Sequence, residues 1–136
     1  MRGNKGFSLI EIMVVIAILG ILGALAIPTY KAVRRMAVGS EATAILKQLV
    51  DAEIAYFLER GHYFPPVGDA EVWDNDPADR EIINEALKIT LPVGHLLNFQ
   101  LHNTGDDVLI MISGTFDSTY IIGKSIDLEG NVTSYP

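Results

Sequence analysis

The chain has 136 residues, a formal net charge of −7, 49% hydrophobic and 20% charged residues, and no cysteine. That apolar content excludes a disordered chain, and the acidic balance excludes the basic footprint of a nucleic-acid binder. Without cysteine there is no disulfide-stapled mini-fold, no thiolate-bound zinc and no thiol catalysis. Charge is segregated along the chain. Arg2 and Lys5 precede an apolar run, and Lys31, Arg34 and Arg35 follow it. From Met36 onward five basic residues stand against sixteen acidic ones, a balance of −11.

Ile12 to Ile27 contains only Ile, Met, Val, Ala, Leu and Gly. With Phe7 to Ile10 this makes about 20 near-continuous apolar residues, enough for a helix to span a bilayer core of ~30 Å. Glu11 interrupts the run. Three readings of this opening compete. A basic start, an apolar core and Ala24-Leu25-Ala26 fit a secretory signal peptide. The length alone fits a single-span anchor. The third reading turns on Glu11, because a carboxylate inside an apolar span costs roughly 2.5–3.5 kcal/mol and is by default a functional group. The basic residues flank both ends, so they do not by themselves orient the span.

The cluster Lys5-Gly6-Phe7-Ser8-Leu9-Ile10-Glu11, followed by the apolar run and Ala26-Ile27-Pro28-Thr29-Tyr30, resembles the N-terminus of type IV pilins and of the pseudopilins of type II secretion. The likeness covers about the first 35 residues. It implies a leader of residues 1–6, cut after Gly6 by a prepilin peptidase that also N-methylates Phe7. Residues 7–30 then form a transmembrane and polymerisation helix, and residues 31–136 a soluble head. The resemblance further implies identical or related pilin subunits and an inner-membrane assembly platform as partners. The subunit would reside first in the inner membrane and then in an extracellular pilus or a periplasmic pseudopilus. No cofactor and no direct nucleic-acid contact are implied. Many pilins close their C-terminal region with a disulfide, and this chain departs from that pattern.

Cleavage before Phe7 creates an ammonium at the membrane face. Charges a few ångströms apart attract several times more strongly in a low-dielectric setting than in water. Pairing Glu11 of one subunit with the Phe7 amine of a neighbour would relieve two unfavourable lone charges and fix the stagger between subunits. The competing reading has Glu11 lying near the headgroups or bonding its own helix start. Pro28 removes the hydrogen bond to the carbonyl of Ala24 and is expected to kink the helix. Gly20 and Gly23 permit close approach of neighbouring helices.

Beyond Pro28 the helix is expected to run to Arg60 and end at Gly61. Ala42, Ile45, Leu46, Leu49, Ala52 and Tyr56 recur at three- and four-residue steps as one apolar stripe, and Lys47 and Asp51 sit at i, i+4 on the polar side. A helix from Phe7 to Arg60 is roughly 80 Å long, too long for one small globule, so half of it must be buried in lipid or against other copies. Residues 31–60 form the amphipathic helix of the head, and residues 61–90 a loop and a short helix. Tyr63-Phe64-Pro65-Pro66 opens the loop. Asp76 is the expected N-cap of the short helix, with Pro77 at N1 and with Ile82, Ile83, Ala86 and Leu87 as its buried face. Leu91-Pro92-Val93-Gly94 breaks it.

Residues 95–136 alternate in polarity and predict four strands: His95–Leu101, Val108–Ser113, Thr119–Ile126 and Val132–Tyr135. Short connections imply an antiparallel meander with one face on the helical stripe. The expected fold class is α+β, a long N-terminal helix packed on a small β-meander head.

Other chemistry finds little support. His62, His95 and His102 lack metal-ligand spacing. Asp74-Asn75-Asp76 with Asp79 is not an EF-hand loop, and Asp127 and Glu129 are calcium candidates only through the family likeness. Ser113-Gly114 is no nucleophile elbow, and no glycine-rich phosphate loop is present, so enzymatic activity is not expected. Phe7 and Tyr30 lie roughly 34 Å apart along a helix, which rules out a continuous aromatic stack with Tyr56, Phe57, Tyr63 and Phe64 within one chain. Asn131-Val132-Thr133 matches a short glycosylation pattern. The expectation is a structural filament subunit, of a type IV pilus (adhesion, motility, DNA uptake) or of a type II secretion pseudopilus. The alternative from another class is a secreted or anchored small binding domain.

Overall fold

The structure is a computed structural model that describes residues 6–93 and 96–135. Met1 to Lys5 of the expected leader, and Gly94 and His95 at the expected break and first strand, lie outside the described residues.

The first helix, α1, spans Leu9–Arg60. Its second half is uninterrupted by Gly or Pro from Ser40 to Arg60, so propensity and apolar spacing both favour helix there. The helix ends as expected at Gly61, whose φ of 77° is free of strain for glycine and whose N–H bonds the Phe57 carbonyl at 2.7 Å. The chain divides into two compact units, residues up to Ala37 and residues from Val38 on, and α1 contributes to both.

The second unit contains a five-stranded sheet. β1 (Gly68–Val72), β2 (Leu97–Asn103), β3 (Asp107–Gly114), β4 (Ile121–Asp127) and β5 (Val132–Tyr135) lie in sequence order, each antiparallel to the next. The short helix α2 (Pro77–Leu87) sits between β1 and β2. This is the expected α+β architecture with one strand more than the sequence predicts. β1 falls where a loop is expected, because its inward positions are only Ala70 and Val72 and its other side is Asp69 and Glu71, a weak alternation. What makes it a strand is pairing along β2, from Gly68 opposite Asn103 to Val72 opposite Phe99.

Two boundaries also shift. Thr119 and Tyr120 belong to a turn rather than to β4, with the Tyr120 N–H on the Asp117 carbonyl at 2.9 Å. β2 continues past Leu101 to Asn103, and the turn into β3 then carries Gly105 at φ 100°.

The sheet's inner face and the α1 stripe make one core. Along β3 the buried residues alternate, with Val108, Ile110 and Ile112 facing Leu97, Phe99 and Leu101 of β2 and Ile126 of β4 in the cluster. From α1 come Ala42, Ile45, Leu46, Leu49, Val50 and Tyr56, while Ala52 is only partly buried. Each large side chain so buried contributes about 1.5–3 kcal/mol over leaving it exposed.

α2 starts as expected. Asp76 caps it by accepting the Ala78 and Asp79 N–H groups at 2.8 and 3.3 Å, and Pro77 opens the helix. Its buried line is narrower than the spacing suggests. Ile83 and Leu87, one turn apart, enter the core, whereas Ile82 lies a hundred degrees round the helix and is 57% exposed.

Candidate functional site

The residues singled out by sequence lie on the first half of α1. Ser8 is the residue before the helix, and its Oγ accepts the Glu11 N–H at 3.3 Å while Glu11 Oε2 accepts the Ser8 N–H at 3.5 Å. Ser8-Leu9-Ile10-Glu11 is therefore a capping box, with loose distances that leave the carboxylate exposed. Glu11 thus has a partner on its own chain, the competing reading of this residue. Gly6 and Phe7 precede the helix, and Phe7 is 77% exposed.

From Leu9 to Tyr30 the apolar side chains are uncovered: Leu9, Ile16, Leu19, Ile21, Leu25 and Tyr30 all lie among the exposed large hydrophobics. α1 is long and apolar enough to cross a membrane, and its most apolar stretch is unburied among the described residues. An exposed apolar surface of this extent marks a contact with lipid or with other protein. A Cβ built on Gly20 or Gly23 meets nothing within 4 Å, so no packing among the described residues requires glycine there. Pro28 lies inside the helix, where it leaves the Ala24 carbonyl without its usual donor. Thr29 Oγ1 donates to the Leu25 carbonyl at 3.0 Å.

The second unit holds a polar site that the sequence reading misses. Glu53 is fully buried on α1, where Oε2 accepts the Phe64 N–H at 3.0 Å and Oε1 has no partner among the described residues. Burial pushes its carboxyl up to about 8, against a smaller opposing effect of the Phe64 hydrogen bond. Its position was legible in spacing, since Leu49, Glu53 and Tyr56 continue the stripe at i+4 and i+3.

Beside it, Asn103 Nδ2 donates to the carbonyls of Tyr63, Pro65 and Pro66 at 3.1, 2.6 and 3.2 Å, holding the loop after α1 against the end of β2. The Tyr63 hydroxyl donates to the Asp127 carbonyl at 2.7 Å. Burial raises the Tyr63 phenol, and the charges of Asp127, Glu53 and Glu129 add to that. Phe57 stacks on Tyr63 with ring centroids 4.6 Å apart, and Arg60 lies 5.0 Å over the Tyr56 ring.

The calcium candidates are occupied otherwise or apart. Asp127 accepts the backbone and side-chain N–H of Asn131, each at 2.8 Å, and these bonds hold its carboxyl below the usual range. They close the β4–β5 turn that also contains Glu129. Among the described residues no three His, Asp or Glu side chains form a group able to hold a metal. His62 and His102 are apart: the first contacts the Tyr56 ring edge-on, and the second pairs with Asp69 across β1 and β2.

Residues 1–27 match the family model of the prokaryotic N-terminal methylation motif. The chain is 45% identical over 60 residues to the type IV major pilin protein PilA of Myxococcus xanthus, covering 44% of this chain and 27% of that one. It is 44% identical over 60 residues to a fimbrial protein of Neisseria meningitidis serogroup B, covering 44% and 35%. To the type IV wide pilus major component PilA4 of Thermus thermophilus it is 41% identical over 63 residues, covering 46% and 48%. The matches thus span between about a quarter and a half of these relatives' lengths. No solved structure matches the chain significantly.

Proposed function

We propose, from its N-terminal methylation motif and its likeness over about 60 residues to type IV pilins of several bacteria, that the chain is a structural subunit of a type IV pilus-like filament. The observation that carries this reading is the uncovered apolar stretch of α1, most of which lies within the matched methylation motif. An apolar helix left uncovered among the described residues needs lipid before assembly and other copies afterwards. A single surface serves both, because lipid tails and neighbouring helices present the same apolar contact. Gly20 and Gly23 leave room for the close approach of a second helix.

In this reading a peptidase removes residues 1–6 and methylates Phe7, an inner-membrane platform extracts the subunit, and the head from Lys31 onward forms the filament surface. The work is structural rather than catalytic. The relatives' names favour a pilus over a secretion pseudopilus, since those proteins are called pilins, fimbrial protein and pilus component.

Mass spectrometry of the protein purified from its native envelope tests the reading. The expected N-terminus is methylated phenylalanine at Phe7. A start at Ile27 would instead make the chain a secreted domain, and an intact Met1 would make it a plain anchor.

A further inference from the structure

Lys31, Arg34 and Arg35 stand at i, i+3 and i+4 on α1 and are all exposed, so one face of the helix carries three cations. The apolar run ends at Ile27. At 1.5 Å per residue Lys31 lies about 6 Å past that end and Arg35 about 12 Å. The polar layer of a bilayer extends roughly 5–8 Å beyond its hydrocarbon core. Side chains of a helix lean toward its N-terminus, here toward the apolar run, so the long stems of these residues carry their charges back into that layer. Tyr30, 67% exposed, sits at the same level, where amphipathic rings favour the headgroups.

We propose that Lys31, Arg34 and Arg35 form a docking surface for the phosphates of anionic phospholipids, holding the subunit at the membrane boundary before assembly. Guanidinium groups suit phosphate because they donate two parallel hydrogen bonds to it. Charge complementarity singles out this face: from Met36 onward the chain carries a balance of −11, which an anionic surface repels. On this side of the span the attraction to lipid is concentrated in these three cations. Assembly then requires these contacts to be given up as the helix leaves the bilayer. The proposal rests on the membrane-inserted state of α1 described above.

The test uses the purified full chain, reconstituted in phosphatidylcholine vesicles with a minority of phosphatidylglycerol, beside the K31Q/R34Q/R35Q variant and the charge-conserving K31R/R34K/R35K variant. Flotation reports insertion, and spin-labelled phosphatidylglycerol against spin-labelled phosphatidylcholine reports which lipid surrounds the chain. All three chains are expected to float equally. The wild type and the charge-conserving variant hold phosphatidylglycerol several-fold more strongly, a preference that added salt weakens. It is cut by more than half in the glutamine variant, which keeps Arg2 and Lys5 at the other end of the span. A glutamine variant that keeps the full preference, or a wild type that shows none, overturns the proposal. Failure of all three chains to float overturns the membrane reading with it. Unchanged lipid preference together with impaired co-assembly of the glutamine variant assigns the cations to acidic groups of a neighbouring subunit and overturns the lipid assignment.

Discussion

The carboxyl of Glu53 is fully buried and receives the Phe64 N–H at 3.0 Å, so an acid on the apolar stripe of α1 fastens the loop that follows the helix. Burial raises its value from 4.5 to about 8. The folded chain therefore keeps a proton that the unfolded chain releases above about pH 4.5. Stability from this group is full below that pH and falls as pH rises to about 8, where the folded state also ionises. The steepest loss is about 1.4 kcal/mol per pH unit. Urea unfolding of the full chain in detergent across this range should show the decline. Glu53→Gln keeps an acceptor for Phe64 without an ionisable group, so its stability should stay flat and exceed the wild type's at the alkaline end. An equally steep decline in that variant would place the pH dependence elsewhere.

Asn103 offers a second anchor for the same loop, at the last residue of β2. Its amide serves the carbonyls of Tyr63, Pro65 and Pro66, and its Oδ1 accepts the Gly105 N–H at 2.8 Å. Asn103→Ala would leave these buried groups without their partner, at a cost of roughly 2–4 kcal/mol. The urea midpoint should fall accordingly, with faster amide exchange at Tyr63 and Phe64. A midpoint unchanged from wild type would mean that water replaces the amide without loss.

Glycines in the two units separate head stability from assembly. A Cβ on Gly123 would stand 2.9 Å from the Ile110 carbonyl oxygen and 3.3 Å from the Tyr135 Cβ, between β3 and the edge strand β5. Gly123→Ala should cost about 1–3 kcal/mol and loosen β5 first, read as exchange of its amides. Gly20→Ala meets nothing within 4 Å and should leave head unfolding unchanged. If it lowers filament yield, the loss reports contacts between copies.

The parts legible in the sequence are those in which a single pattern dominates. The apolar run, the Ala42 to Tyr56 stripe, the Asp76-Pro77 start of α2 and the Gly61 stop each rest on local chemistry that tertiary structure does not override. β1 was hidden because Asp69, Ala70 and Glu71 carry no clear alternation, and only the partner strand β2 makes it a strand. Ile82 misled because an eleven-residue helix against one side of a sheet buries a single line of side chains. Glu53 and Asn103 were passed over as polar residues, although the first lies in register with the stripe. Polar residues in a core are specified by backbone groups far away in sequence, here 11 and about 40 residues off, which no local pattern contains.

Glu11 has two candidate partners, and one substitution separates them. On its own chain it completes the capping box with Ser8, at 3.5 Å from the Ser8 nitrogen. In a filament it is proposed to neutralise the Phe7 amine of a neighbouring copy. Glutamine serves equally well at the third position of a capping box but carries no charge. Alanine removes both functions, leaving only the Ser8 half of the capping box. Both Glu11→Gln and Glu11→Ala should still be cleaved after Gly6 and methylated at Phe7, as mass spectrometry would show. If charge pairing sets the stagger, the two variants should co-assemble with wild-type subunits equally poorly, measured as their share of sheared filaments. If Glu11→Gln enters filaments like wild type while Glu11→Ala does not, the residue serves its own helix start and the pairing model fails.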